Sequence, residues 1–193
     1  MRATSVLTHA IGDTRRGAVM PPVPWDADAA VEHLYAAHWR QLVRLSTLLV
    51  RDAGTAEEVV QDAFVAMHGR WAGLREPDLA LAYLRQAVVN RSRSVLRHRA
   101  VVRRHAAHER VLETAPGSDH PALERARRDD VLDAMRALPQ RQREVLALRY
   151  YLDLSEAEIA DTLGITRGAV KSHASRGAAA LRDRLGSYLE DRS

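Results

Sequence analysis

The run SEAEIADTLGITRGAVKSHASR, residues 155–176, decides how this chain is read. Ser155 followed three positions later by Glu158 is a capping box, in which each side chain satisfies a backbone N–H at the start of a helix. The helix it opens turns Ile159, Ala160 and Leu163 to one face. Gly164 stops it, because glycine takes the left-handed conformation that bends the chain sharply. Ile165 is placed to plug the angle between two helices, and Thr166 to cap the second. On that second helix Val170, Ala174, Ala178, Leu181 and Leu185 form the buried stripe, which leaves Arg167, Gly168, Lys171, Ser172, Ser175 and Arg176 outward. Cap, glycine, plug and cap together are the pattern of a helix-turn-helix. Its outward face is small, polar and cationic, which suits the major groove: Arg and Lys reach guanine edges or phosphates, and small residues permit close approach. A helical hairpin with solvated charges is the plainer reading of the same face.

Upstream of this motif the apolar spacing stays helical. Leu123, Val131, Leu132, Met135 and Leu138 mark one helix, Pro139 stands where the next would place its first residue, and that next helix buries Val145, Leu146 and Leu148. Ala115, Pro116, Gly117 and Ser118 interrupt the periodicity and read as a flexible linker over 106–121. Before it, Val31, Leu34, Tyr35, His38, Trp39, Leu42, Leu45, Leu48 and Leu49 recur three and four apart along one long helix. Asp52 to Gly54 breaks that helix. Thr55 and Glu58 form a capping box for a second, with Val59, Val60, Ala63, Phe64, Met67 and Trp71 inward. After a loop at Gly73 to Pro77, a third helix runs from about Asp78 past Arg97 on Leu81, Leu84, Val88, Val95 and Leu96. No stretch alternates as a strand does. The fold class is all-α, with two small helical domains, 28–105 and 122–190, joined by the linker. Residues 1–27, with Pro21, Pro22 and Pro24, read as a disordered leader, or as a misassigned start if translation begins at Met20.

The 193 residues carry 29 basic and 25 acidic side chains, a formal charge of +4, so their arrangement says more than their number. No carboxylate lies between Asp78 and Glu109, while Arg85, Arg91, Arg93, Arg97, Arg99, Arg103 and Arg104 all do. Tyr83 and Asn90 share that run. An aromatic ring, an amide and several cations are what single-stranded nucleic acid recognition uses; a solvated basic helix face is the alternative. The second helix instead presents Glu57, Glu58, Gln61 and Asp62, a surface unsuited to DNA and suited either to docking a protein or to simple solvation. With no cysteine, no phosphate loop and no serine in a nucleophile context, neither an enzyme nor a bound cofactor or metal is expected. Among nine histidines only His105 and His108, with Glu109, approach metal-ligand spacing, and chance accounts for them. The Glu57, Glu58 and Asp62 group suits a solvated or docking face better than a cation site. His173 beside the recognition helix is either a phosphate contact or a partly buried polar residue. No apolar stretch approaches the roughly 20 residues that span a bilayer, so a cytoplasmic protein without membrane insertion is expected.

Taken together, residues 29–189 resemble the extracytoplasmic-function, or group 4, sigma factors of bacterial RNA polymerase, in their actinobacterial form. Ala56-Glu57-Glu58-Val59-Val60-Gln61-Asp62-Ala63-Phe64 is similar to the family's polymerase-docking helix, and Tyr83-Leu84-Arg85-Gln86-Ala87-Val88-Val89-Asn90 to its promoter-melting helix, both in sigma region 2. Leu138-Pro139, Arg143-Glu144-Val145, Ser155 to Ala160 and Gly168-Ala169-Val170-Lys171-Ser172 are similar to sigma region 4. The resemblance implies a promoter-recognition subunit that joins core RNA polymerase, with Glu57, Glu58, Gln61 and Asp62 on the clamp helices of the largest subunit. It implies that Arg167, Gly168, Lys171, Ser172, Ser175 and Arg176 read the minus-thirty-five element. Tyr83, Arg85, Asn90, Arg91, Arg93, Ser94 and Arg97, with the loop at 73–79, would hold the flipped bases of the minus-ten strand. An anti-sigma protein is an implied partner, alongside core polymerase and promoter DNA. Many members carry aspartate where this chain has Ser94, which puts the minus-ten preference in question. A helix-turn-helix regulator with a helical ligand-sensing domain is the other reading of the same elements.

Overall fold

The computed structural model describes residues 27–71, 79–106 and 131–190. The expectations for the leader, for the loop at Gly73 to Pro77, for the linker beyond Ala106 and for His108, Glu109 and Leu123 lie outside them. Every regular element among the described residues is helical: α1 (Ala27–Val50), α2 (Ala53–His68), α3 (Ala80–Ala106), α4 (described over 131–137), α5 (Gln140–Leu146), α6 (Glu156–Leu163) and α7 (Arg167–Glu190).

Helices α1, α2 and α3 pack against one another as a three-helix bundle. Its centre is Leu42, Leu45, Leu49, Val60, Ala63, Phe64, Met67, Leu84 and Val88, all buried, which is the stripe that the apolar spacing predicts. Tyr35 is an exception to burial: it is exposed, yet stacks on Trp39 with centroids 4.6 Å apart and meets Phe64 edge-on at 5.2 Å. Helix α1 ends where Arg51 takes a left-handed backbone, φ 75°. The next helix begins earlier than the Thr55 capping box predicts, at Ala53, because Asp52 is the cap. Its carboxylate accepts from the Thr55 backbone N–H at 2.7 Å and also from the Thr55 hydroxyl, so Thr55 is spent as a donor inside the first turn.

In the second half, α5 and α6 both pack on α7. Pro139 is the N-cap of α5 and lies one residue outside the helix, with ψ 141°; a ring without an N–H loses nothing there. Val131, expected inward, is exposed, whereas Met135 and Leu138 are buried. Beyond Leu146 the helix widens into a π turn over Ala147–Tyr151, closed by the Leu152 N–H donating to Ala147 O at 3.3 Å. Residues 143–148 are buried without interruption. A helix enclosed on all sides needs neighbours on two faces; α7 supplies one and the N-terminal bundle the other. α5 and the π turn touch α1, and α6 lies on α3. The two helical units therefore share a contiguous core, where the sequence pattern places only a linker between them.

Candidate nucleic-acid interface

The turn between α6 and α7 forms as its residues dictate. The Ser155 hydroxyl accepts from the Glu158 N–H at 3.3 Å, and the Glu158 carboxylate accepts from the Ser155 N–H at 2.8 Å and from its hydroxyl at 2.7 Å. Those bonds hold the Glu158 carboxyl below its ordinary pKa, the hydroxyl contributing most. Gly164 is left-handed, φ 64°, the Ile165 N–H returns to Ala160 O, and the Thr166 hydroxyl accepts from the Ala169 N–H at 3.1 Å. Val170 and Ala174 are buried. Gly177, not singled out by its pattern, lets α5 and α7 close: a Cβ there would lie 3.1 to 3.2 Å from Leu146 and Gln142 side-chain atoms.

Arg167, Gly168, Lys171, Ser172, Ser175 and Arg176 are all exposed, as expected. They form one continuous face, since residues three and four apart stand above one another on a helix. Glu156 faces two cations from α7 and the π turn, Lys171 at 3.7 Å and Arg149 at 3.5 Å. The Lys171 ammonium remains largely solvated. His173 is half-buried, its Nδ1 without a hydrogen-bond partner.

Helix α3 carries its predicted residues in two groups. Asn90, Ser94 and Arg97 are exposed and chained: the Arg97 guanidinium donates to the Ser94 hydroxyl at 3.1 Å, and that hydroxyl donates to Asn90 O at 3.2 Å. Tyr83 is half-buried, with the Arg70 guanidinium 6.0 Å from its ring centroid. The other cations are engaged elsewhere. Arg91 lies 4.0 Å from Asp62, Arg99 lies 3.8 Å from Asp52, and Arg93 forms a two-pronged pair with Glu144 at 2.7 and 2.8 Å. Arg85 is half-buried, and burial draws its pKa down while the Glu158 charge opposes this. A run free of carboxylates in sequence thus borrows acids from α2, α5 and the α2 cap.

On α2, Glu57, Glu58, Gln61 and Asp62 are all exposed on the side opposite Val59, Val60 and Ala63. Val65, 67 % exposed, extends that face by one turn. The sequence pattern does not reveal Arg143 or Glu144 as contact residues. Arg143, 6 % exposed, donates to Met135 O, Leu138 O and Arg136 O near the end of α4 and to Leu49 O in the last turn of α1, at 2.9 to 3.1 Å. A guanidinium there meets carbonyls at helix ends, where the helix dipole is negative. Glu144 is buried among Arg93, Gln140 and Arg141. The local signal is two adjacent charges at the start of an apolar run; besides partners within eight positions, Glu144 meets Arg93 51 residues away and Arg143 meets Leu49 94 residues away.

Two protein-family models match the chain: Sigma-70 region 2 over residues 34–101 and Sigma-70, region 4 over residues 128–181. The RNA polymerase sigma-E factor of Streptomyces avermitilis is 34% identical over 148 residues, which is 76% of this chain and 79% of that protein. The ECF RNA polymerase sigma factor SigM of Mycobacterium tuberculosis is 36% identical over 166 residues, 83% of this chain and 79% of that one. Among solved structures, the sigma factor RpoE in complex with the anti-sigma factor NepR, from Bartonella quintana, superposes with a TM-score of 0.68 at 20% identity, over 80% of this chain and 96% of that one. CnrH in complex with the cytosolic domain of CnrY gives 0.62 at 22% identity, over 83% and 95%. These two likenesses bear on the fold.

Proposed function

Because this chain belongs to the extracytoplasmic-function sigma factors, the promoter-recognition subunits of bacterial RNA polymerase, we propose that its three exposed surfaces divide the work of initiation. The face of α7 reads the upstream promoter element. Arg167 and Lys171 stand near the start of the helix, where a recognition helix enters the major groove, and Arg176 lies one turn further along the same side. Gly168, Ser172 and Ser175 keep the surface between them low enough for base edges to approach. Asn90, Ser94 and Arg97 on α3, with Tyr83, Arg85, Arg91 and Arg93, hold the non-template strand of the downstream element: stacking on the ring, hydrogen bonds from the amide, and phosphate attraction from the arginines. Glu57, Glu58, Gln61 and Asp62 on α2 dock on core polymerase.

No step of this requires a reacting group. Binding energy places and opens DNA, and the phosphodiester chemistry belongs to the polymerase, so the chain acts as a non-enzymatic subunit in the cytoplasm. No helix among the described residues is long and apolar enough to cross a membrane. An anti-sigma protein is the partner expected to restrain it, in keeping with the complexes of RpoE and CnrH. Residues 28–105 act as the core-binding and strand-opening domain, 106–121 as the linker, and 122–190 as the upstream-element domain.

The observation that carries the reading is the exposed, uninterrupted polar and cationic face of α7, mounted on a turn whose caps are all made. The test is promoter footprinting by reconstituted holoenzyme. With Lys171→Ala and Arg176→Ala together, protection of the upstream element should be lost while core binding is kept. The salt slope of promoter binding should fall by about 0.9 for each phosphate contact removed. Undiminished upstream protection would overturn the assignment of α7.

A further inference from the structure

Lys171 is the only lysine among the 193 residues, in a chain whose other cationic side chains, histidine aside, are all arginine. It stands on the outward face of α7, 68 % exposed, with its ammonium 3.7 Å from the carboxylate of Glu156, the first residue of α6. The other oxygen of that carboxylate lies 3.5 Å from the Arg149 guanidinium on the π turn, and the Glu156 side chain is only 24 % exposed. Arg149 in turn sits beside its neighbour's ring, the guanidinium carbon 6.0 Å from the Tyr150 centroid. The π turn, α6 and α7 thus meet at one carboxylate, and the most solvated member of the group is Lys171. The backbone beneath them is fixed by the capping box of α6 and by the burial of Val170 and Ala174. Glu158, two residues on, has its carboxylate engaged by the Ser155 N–H and hydroxyl.

An acid at the edge of a DNA-reading face opposes phosphate, so its presence there calls for a reason. We propose that Glu156 is a positioning residue that sets the selectivity of the α7 face: anchored by Arg149, it holds the Lys171 ammonium toward base edges and off the phosphates. This rests on the assignment of α7 to the upstream element made above. An ammonium carries three hydrogens. One directed at Glu156 leaves two for the groove, so a guanine edge can be read with the pair intact. A phosphate met out of register instead requires the lysine to swing off the carboxylate, exchanging one anion for another with little gain. Neutralised phosphates give sequence-independent affinity and base edges give specificity, so weakening the first widens the ratio between promoter and other DNA. Lysine suits this position. Its point charge on a flexible stem can be aimed, where an arginine would close a two-pronged pair on the carboxylate and turn from the groove.

Because the chain has one lysine, an isotope label confined to lysine gives a single side-chain ammonium signal in the full protein, that of Lys171. In the wild type this ammonium should be restrained, and Glu156→Gln, which keeps the shape and removes the charge, should release it. Reconstituted holoenzyme carrying Glu156→Gln should bind a random-sequence duplex about fivefold more tightly at about 0.15 M salt, with a salt slope steeper by about 0.9, as one more phosphate is neutralised. Core polymerase alone supplies the background to subtract. Binding to a duplex of equal length carrying one of the protein's own transcription starts should change little, so discrimination falls. In a Lys171→Gln background the same Glu156 substitution should lose most of its effect, which a general change of charge or a loosened α6 would not do. An ammonium equally mobile with and without Glu156, unchanged discrimination, or an equal effect in both backgrounds overturns the role of Glu156. Upstream protection that survives Lys171→Ala with Arg176→Ala overturns instead the assignment of α7, and this proposal with it.

Discussion

Ser155 illustrates how single residues hold this molecule. Replacing it with alanine removes the acceptor for the Glu158 N–H and should cost about 1 kcal/mol in denaturant unfolding. Gly164→Ala forces a Cβ into a left-handed backbone and should cost about 1 to 2 kcal/mol. Arg143→Met is expected to be worse, about 3 kcal/mol, because four carbonyl contacts, three of them buried, lose the guanidinium together. His38 gives the fold a pH dependence. Burial, and after it the charges of Arg85 and His33, hold its pKa below the usual 6.5. The folded state therefore favours the neutral ring, and its contribution is complete above pH 6.5 and lost as pH falls through the lowered folded value. Thermal melts should show the midpoint falling on acidification through that window, and His38→Gln should flatten the fall. An unchanged slope in the variant would place the titration elsewhere.

Helices were legible in the sequence where their causes are local. The α6–α7 turn follows from residues that sit within four positions of one another, and every expected cap and plug is found there. The start of α2 was not legible to the same degree. Asp52 and Thr55 are both capping residues, and only the fold shows the carboxylate taking both Thr55 donors and so winning the position. The exposed faces of α2 and α7 could be read from periodicity alone. What α3 does with its arginines could not, since Asp62, Asp52 and Glu144 reach it from other elements. At this scale the docking surface is the assignment to test. Gln61→Ala with Asp62→Ala alters only exposed side chains, so the fold should survive by circular dichroism while affinity for core polymerase drops at least tenfold, as expected when contacts near an interface centre are truncated. Equal affinity would move the docking surface off α2.

At the scale of the whole molecule, two helical units, a helix-turn-helix and a basic helix free of carboxylates were all accessible from pattern. The packing of one domain on the other was not. It depends on Arg93 meeting Glu144 and on Arg143 meeting Leu49, contacts between residues 51 and 94 positions apart that no local rule encodes. Initiation by this protein is tested by transcription from genomic DNA fragments by purified bacterial core polymerase, with and without it. Discrete new start sites that appear only when the protein is added are the predicted result. No new starts, with no retention of core polymerase and tight binding of duplex DNA by the protein alone, would contradict it.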